Sequence, residues 1–140
     1  MHLSLEAPTA REFKDLYEQT GWAVLTLERC ERALASSWVV CTARDDAGRL
    51  VGMGRLISDG ALHAFVTELI VDERVRGGGI GARILARLVE EARARGVEDV
   101  QLFAARDRAP FYERGGFTAR PADAPGMDYA GSSSTVPTTA

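Results

Sequence analysis

Residue types able to do chemistry gather most densely in one stretch of this 140-residue chain, Val71–Ala82, which reads V-D-E-R-V-R-G-G-G-I-G-A. Gly77, Gly78, Gly79 and Gly81 free the backbone to take positive φ and to approach a ligand with no Cβ in the way. An amphipathic segment follows at once. A glycine-rich turn that opens a helix presents unpaired N–H groups and the positive end of the helix dipole, which together bind phosphate. Taken alone the turn admits several ligands. Gly77 to Ala82 also satisfies the dinucleotide pattern G-x-G-x-x-A, but the strand at Val100–Phe103 is followed by Ala104-Ala105-Arg106 rather than by the acid and further βα units that such a fold needs. The Gly-Lys-Ser/Thr of a nucleoside triphosphate loop is absent. The bland alternative is a turn that only connects strand to helix.

Glu68 is the second candidate, a carboxylate inside the apolar run F-V-T-E-L-I-V. Half-buried there, it could have a raised pKa and accept an amine proton directly or through water. It could equally bind a cationic acceptor, pair with an arginine or face solvent. His63 lies five residues earlier on the same run, where a lone histidine is more often an exposed or packed residue than a proton shuttle. Cys30 and Cys41 have neither a sequence-adjacent base nor a helix N-terminus to lower their pKa, so an acyl-enzyme is not expected.

These residues need a frame to hold them. Leu3 and Leu5 suggest a short first strand. Thr9 can cap a first helix carrying Phe13, Leu16 and Tyr17 on one face, stopped at Gly21. Leu27, Cys30 and Leu34, with Ala33, form the apolar face of a second helix that Ser36 and Ser37 close. Trp38–Thr42 and Leu50–Ile57 read as a hairpin around Asp45-Asp46-Ala47-Gly48, and Ser58-Asp59-Gly60 turns the chain into a strand over Ala61–Val71. Eleven residues is long for a strand, so a bulge is expected along it. After the glycines, Ile80, Ile84, Leu85, Leu88, Val89 and Ala92 make a helical stripe that Gly96 ends. Val97–Phe103 then completes a strand–helix–strand unit, hence a parallel neighbour of Ala61–Val71. Asp107 can cap a short helix over Arg108–Arg114, with Phe117–Arg120 and Met127–Tyr129 as further candidate strands.

With 46% hydrophobic residues, residues 1–129 suit one domain, and the polar segment 130–140 reads as a disordered tail. Net charge −3 argues against nonspecific nucleic-acid binding, since the 17 basic residues, all arginine except Lys14, are scattered among acids. The two cysteines lie in unlike contexts with no histidine at ligand spacing, so no metal site and a reduced compartment are expected. Neither a signal peptide nor a membrane-spanning run is visible, and a cytoplasmic, unanchored protein is expected.

Two motifs tie these observations together. R-x-x-G-x-G is filled by Arg76, Gly79 and Gly81 after Glu68-Leu69-Ile70-Val71, and Ala109-Pro110-Phe111-Tyr112-Glu113-Arg114-Gly115-Gly116-Phe117 fits A-x-x-F-Y-x-x-x-G-F. From about Leu50 to Phe117 the chain resembles the GNAT superfamily of acyl-CoA-dependent N-acyltransferases. The resemblance implies an α/β (α+β) fold, with a mixed, mostly antiparallel twisted sheet of six to seven strands, about four helices and a central parallel pair after the glycine turn. It implies acetyl-CoA as acyl donor, with Leu69, Ile70 and Val71 along the pantetheine arm and Arg76, Gly77, Gly78, Gly79, Ile80, Gly81 and Ala82 at the pyrophosphate. Tyr112 is then the candidate acid; its unperturbed pKa near 10 lies above that of a thiol near 8.5, so it can donate to a departing thiolate. Glu68 is the candidate base, although pairing and acceptor binding stay open for it. The partners implied are acetyl-CoA and an amine acceptor met in a ternary complex, with a homodimer left open. Across the sheet, the connection Thr20-Gly21-Trp22 should bound the acceptor, with Trp22 read as a core residue. A noncatalytic acyl-CoA sensor is the main alternative, and a nucleotide-binding module the second.

Overall fold

The computed structural model describes residues 1–130. Its elements are β1 (His2–Ser4), α1 (Ala10–Glu18), α2 (Leu27–Ala35), β2 (Val39–Arg44), β3 (Leu50–Ser58), β4 (His63–Val71), a 3-10 turn (Glu73–Val75), α3 (Ile80–Ala94), β5 (Asp99–Leu102) and α4 (Ala109–Arg114). The strands lie in sequence order in one sheet, antiparallel from β1 to β4 and parallel between β4 and β5. Among the described residues no helix is long and apolar enough to cross a membrane.

Local chemistry explains the element ends. Thr9 accepts from the Glu12 N–H while the Glu12 carboxylate accepts from the Thr9 N–H, a full capping box at the start of α1. The Thr26 hydroxyl caps α2. At the end of α3, the Val97 N–H reaches the Ala92 carbonyl and the Gly96 N–H reaches Arg93, with Gly96 at φ 88°, a Schellman closure. Before β4 the Asp59 carboxylate accepts from the N–H groups of Ala61, Leu62 and His63. That knot spends the first two residues expected of β4, which therefore begins at His63 rather than Ala61.

The sheet is packed on both faces. Phe13, Leu16 and Cys30 from α1 and α2 meet Val40, Leu50, Met53 and Ile70 on one side. On the other, Ile84, Leu85 and Leu88 of α3 and Tyr112 of α4 meet Val39, Cys41, Val51, Leu56, Val66 and Leu69. Each large apolar side chain buried in this way contributes about 1.5–3 kcal/mol. Close approach of α3 to β3 depends on Gly54, where a Cβ would stand 2.9 Å from Leu88 and 3.1 Å from Ile84.

Two expectations about the sheet are corrected. Five strands form among the described residues, not six to seven, and the parallel pair lies at the sheet edge rather than its centre. Phe117–Arg120 and Met127–Tyr129 are not strands. Phe117 instead packs against the α3 side of the core, with its ring centroid 6.2 Å from that of Tyr112. Pro121 and Pro125 have no N–H to give a ladder. The segment folds on itself through Ala124 N–H to Pro121 O and Arg120 Nε to Ala124 O. The tail expected over 130–140 lies outside the described residues apart from Ala130.

Candidate active site

The two parallel strands stay together only from His63 and Asp99 to Val66 and Leu102. Beyond that point β4 continues over Thr67–Val71 beside β3 alone, while the chain leaves β5 at Phe103. A cleft of about 890 Å³ opens in this wedge, a usual size for a small-molecule site. Glu68, Leu69 and Tyr112 line it, and so do Tyr17 and Trp22 from the α1–α2 layer. Six of the chain's ten aromatic residues reach its walls: Tyr17, Trp22, Phe65, Phe103, Tyr112 and Phe117.

The expected bulge falls at the carboxylate. Register passes from Met53 opposite Ile70 to Arg55 opposite Thr67, so Glu68 and Leu69 together oppose Gly54. Glu68 takes φ 46°, a strained value for a residue with a long side chain. The bulge re-aims the strand just where β5 departs. The rest of β4 thus has a backbone edge facing the cleft with no neighbouring strand to pair it.

At the end of β4 the glycine turn is exposed. Gly77 and Gly79 have φ of 84° and 83°, and a Cβ at either would meet nothing within 4 Å. Gly79 is the N-cap of α3 and supplies no side-chain hydrogen bond, so the first N–H groups of the helix have no cap. This open cradle fits a diphosphate. Arg76 donates from Nε to the Val71 carbonyl 3.1 Å away and so pins the turn to the strand end. Ile80 and Gly81 are half-buried and Ala82 is exposed; at Gly81 a Cβ would lie 3.4 Å from both Phe111 and Val71, which brings α4 against the turn. Ile70 is buried on the α1–α2 face, and Val71 is half-buried.

Tyr112 is 5% exposed, with its ring set edge-on to Phe111 and Phe117. Burial pushes its pKa up, partly offset by Arg108. The hydroxyl makes no hydrogen bond among the described residues, yet Trp22 Nε1 is the one sealed polar side-chain atom without a partner. The Tyr112 oxygen therefore retains access to the cleft it lines. A neutral phenol on an apolar wall is a proton donor at physiological pH. Its helix starts one residue late: Arg108 rather than Asp107 is the N-cap, because Asp107 takes φ 64°.

Glu68 pairs with an arginine. Its Oε1 accepts from Arg55 Nε at 2.8 Å and from Arg55 Nη2 at 2.7 Å, and its Oε2 accepts from the Thr67 hydroxyl. Arg55 Nη1 donates further to Ser37 Oγ, at 3.2 Å, and to the Ala33 carbonyl. A carboxylate offers about four lone-pair sites. Oε1 is saturated by the guanidinium, so any proton taken from an amine must go to Oε2.

With this geometry in place, comparison with known proteins decides the family. The model of the acetyltransferase (GNAT) family matches residues 3–117. The chain belongs to the GNAT family. Its relatives include serotonin N-acetyltransferase 2 of Oryza sativa, 31% identical over 118 residues that cover 82% of this chain and 59% of that one. This chain thus spans little more than half of that relative's length. A solved GNAT family acetyltransferase of Streptococcus pneumoniae is 27% identical with a TM-score of 0.78, covering 94% of this chain and 96% of that one. A Mycobacterium tuberculosis protein solved in complex with CoA shares the fold at 24% identity and a TM-score of 0.72, over 86% of this chain and 74% of that one.

Other candidates in this GNAT chain stand apart from the cleft. His63 is exposed at the far end of β4, bonded through Nδ1 to Asp99, about 16 Å along the strand from Glu68. Cys30 and Cys41 are buried, and burial raises both pKa values, that of Cys41 to about 11, which suits neither to nucleophilic attack. Among the described residues no group of three His, Cys, Asp or Glu could hold a metal. Trp22 packs with the α1–α2 core as expected, but it also walls the cleft, edge-on to Tyr17 with centroids 5.5 Å apart. Sequence reasoning missed Arg55, although it is the one charge in L-V-G-M-G-R-L-I and Glu68 the one charge in F-V-T-E-L-I-V; pairing the two strands would have raised the match.

Proposed function

We propose that this protein is an N-acetyltransferase that passes the acetyl group of acetyl-CoA to a primary amine by direct attack in a ternary complex. The observation that carries the reading is the continuity of three features: an uncapped glycine cradle at α3, an unpaired β4 edge beyond it, and a phenol opening into the same cleft. Acetyl-CoA supplies the activated acetyl group as a thioester. The N–H groups of Gly77 to Ala82 hold its diphosphate, with Arg76 fixing the turn. Backbone groups of Leu69, Ile70 and Val71 take up the pantetheine amides as a missing strand would. Glu68 Oε2 receives the ammonium proton of the acceptor, Tyr112 donates its phenolic proton to the departing sulfur, and the second proton that the nitrogen sheds as the adduct collapses to the amide restores the phenol. Two buried, high-pKa thiols give no route through an acyl-cysteine.

The acceptor is an amine with an aromatic or apolar body. Tyr17, Trp22, Phe65 and Phe117 line the cleft, and of its carboxylates Glu68 is paired with Arg55 while Glu113 and Asp128 also line it. These aromatic walls favour a flat apolar body on the amine over a polyamine or aminoglycoside, whose several ammonium groups would have to be desolvated against them. The serotonin-acetylating relative accords with this preference. Thiol release from acetyl-CoA tests it directly: phenethylamine and tryptamine should show kcat/KM at least tenfold above spermidine and glucosamine 6-phosphate. Acetyl-CoA binding without release for any amine would overturn the enzyme reading and leave an acyl-CoA sensor.

A further inference from the structure

One contact joins the donor and acceptor halves of the molecule and has no part in the steps above. Asp72 follows β4 directly and is 3% exposed. Its Oδ1 caps the 3-10 turn by accepting from Arg74 N–H at 2.9 Å, and Arg74 grips both oxygens through Nε at 3.0 Å and Nη2 at 2.8 Å. The fourth donor comes from across the sheet: Gln19 Nε2, at the C-cap of α1, reaches Asp72 Oδ2 at 3.3 Å. The same Gln19 amide accepts the Glu73 N–H on Oε1 at 3.0 Å. One side chain therefore clamps the first two residues that leave β4 toward the glycine cradle.

On its other side Gln19 begins the acceptor wall. Thr20 Oγ1 donates to the Tyr17 carbonyl at 2.6 Å and accepts the Trp22 N–H at 3.0 Å. Tyr17 and Trp22 then meet edge-on in the cleft. A continuous run of short contacts thus leads from the cradle through Asp72 and Gln19 to both aromatic walls. A shift of the turn that carries Asp72 or Glu73 with it must either break the clamp or move the end of α1.

We propose that Gln19 is a positioning residue that couples occupation of the glycine cradle to the placement of Tyr17 and Trp22 at the acceptor side. The proposal rests on the reading of the cradle as the diphosphate site of acyl-CoA. Because coupling between two binding events is reciprocal, an acceptor seated on Trp22 strengthens nucleotide binding by the same factor. Asp72 serves as the anionic partner: Arg74 holds its carboxyl well below the usual carboxylate range, so it meets the Gln19 amide as a carboxylate at neutral pH.

The chain holds two tryptophans, Trp22 and Trp38, so a Trp38→Phe background leaves Trp22 as the only reporter. The probe is adenosine 3′-phosphate 5′-diphosphate, the nucleotide end of CoA, which lacks the arm that would touch Trp22 directly. Fluorescence follows Trp22 and calorimetry follows affinity, in Trp38→Phe and with Gln19→Met or Gln19→Ala added. Gln19→Met preserves the side-chain volume should Gln19→Ala fail to fold. Expected is a Trp22 emission change on nucleotide binding that falls at least fivefold in Gln19→Met, while the dissociation constant moves less than threefold. An undiminished change in Gln19→Met, or no change in Trp38→Phe with nucleotide bound, overturns the coupling alone. Absence of nucleotide and CoA binding in the wild type overturns the cradle reading itself.

Discussion

At the scale of single residues, the cleft separates groups that a sequence shows from groups that only pairing creates. Tyr112 was legible as a candidate because its segment fits a motif, and burial pushes the phenol's pKa up, which keeps it in the protonated state the proposed acid role needs. Tyr112→Phe removes one oxygen and leaves the ring in its edge-on contacts. It should lower kcat about 100-fold with acetyl-CoA affinity nearly unchanged, measured by steady-state thiol release and calorimetry. Glu68 was legible as an anomaly for which pairing with an arginine stayed open, but its partner Arg55 was not, since it sits on another strand and a bulge sets their register. Arg55→Met leaves that carboxylate half-buried without its cation, and should cost about 2 kcal/mol in urea unfolding, below the range for fully buried pairs because both side chains keep some solvent. Adding Glu68→Gln to Arg55→Met should recover part of the loss. Simple additivity of the two would show that the pair is not coupled.

At the scale of elements, what the sequence revealed were caps and periodic faces, because those depend on neighbours within a few residues. Thr9 and Gly96 bound their helices where expected, and the α3 stripe packs as its spacing implies. Phe117–Arg120 and Met127–Tyr129 misled, since short apolar runs between prolines have strand-like composition whether or not a ladder awaits them. Helix α1 gives a pH test. Glu12 closes the capping box and also receives Arg44 Nη1 and Nη2 from β2, which holds its pKa at about 2 against an ordinary 4.5. A carboxyl depressed in the folded state binds fewer protons there than in the unfolded chain, so its stabilisation is complete above pH 4.5 and fades as pH falls toward 2. With Glu12 at 30% exposure and the pair screened by water, the effect is about 1–2 kcal/mol. In urea titrations Glu12→Gln should trail the wild type by that amount at pH 6 and converge on it near pH 2. A gap independent of pH would mean that the helix cap, not the charge, carries the contribution.

At the scale of the whole molecule, the glycine turn proposed for the donor was legible, and of the proposed acceptor side only its bounding connection Thr20-Gly21-Trp22 was. The cradle is a local device, since diphosphate recognition needs a run of N–H groups and therefore a run of glycines. The acceptor side is assembled from α1, the α1–α2 connection, β3 and β4, whose meeting depends on the complete sheet. Gly79→Asp tests whether the local device can be disabled without disturbing the global fold. Its φ of 83° costs any side chain some strain, but aspartate tolerates that region better than most, a Cβ meets no atom within 4 Å, and aspartate is a favoured N-cap. The free variant should therefore unfold within about 1 kcal/mol of wild type. Ligand-linked stability should behave differently. Acetyl-CoA at 100 times its dissociation constant adds about 2.7 kcal/mol to the wild type, a rise in Tm of roughly 5–10 °C for a chain of this size. In Gly79→Asp a carboxylate stands at the proposed diphosphate site, and the same acetyl-CoA concentration should raise Tm by under about 1 °C, a fifth or less of the wild-type gain. An unchanged ligand shift in a folded Gly79→Asp protein would move the diphosphate away from α3 and require another site for the donor.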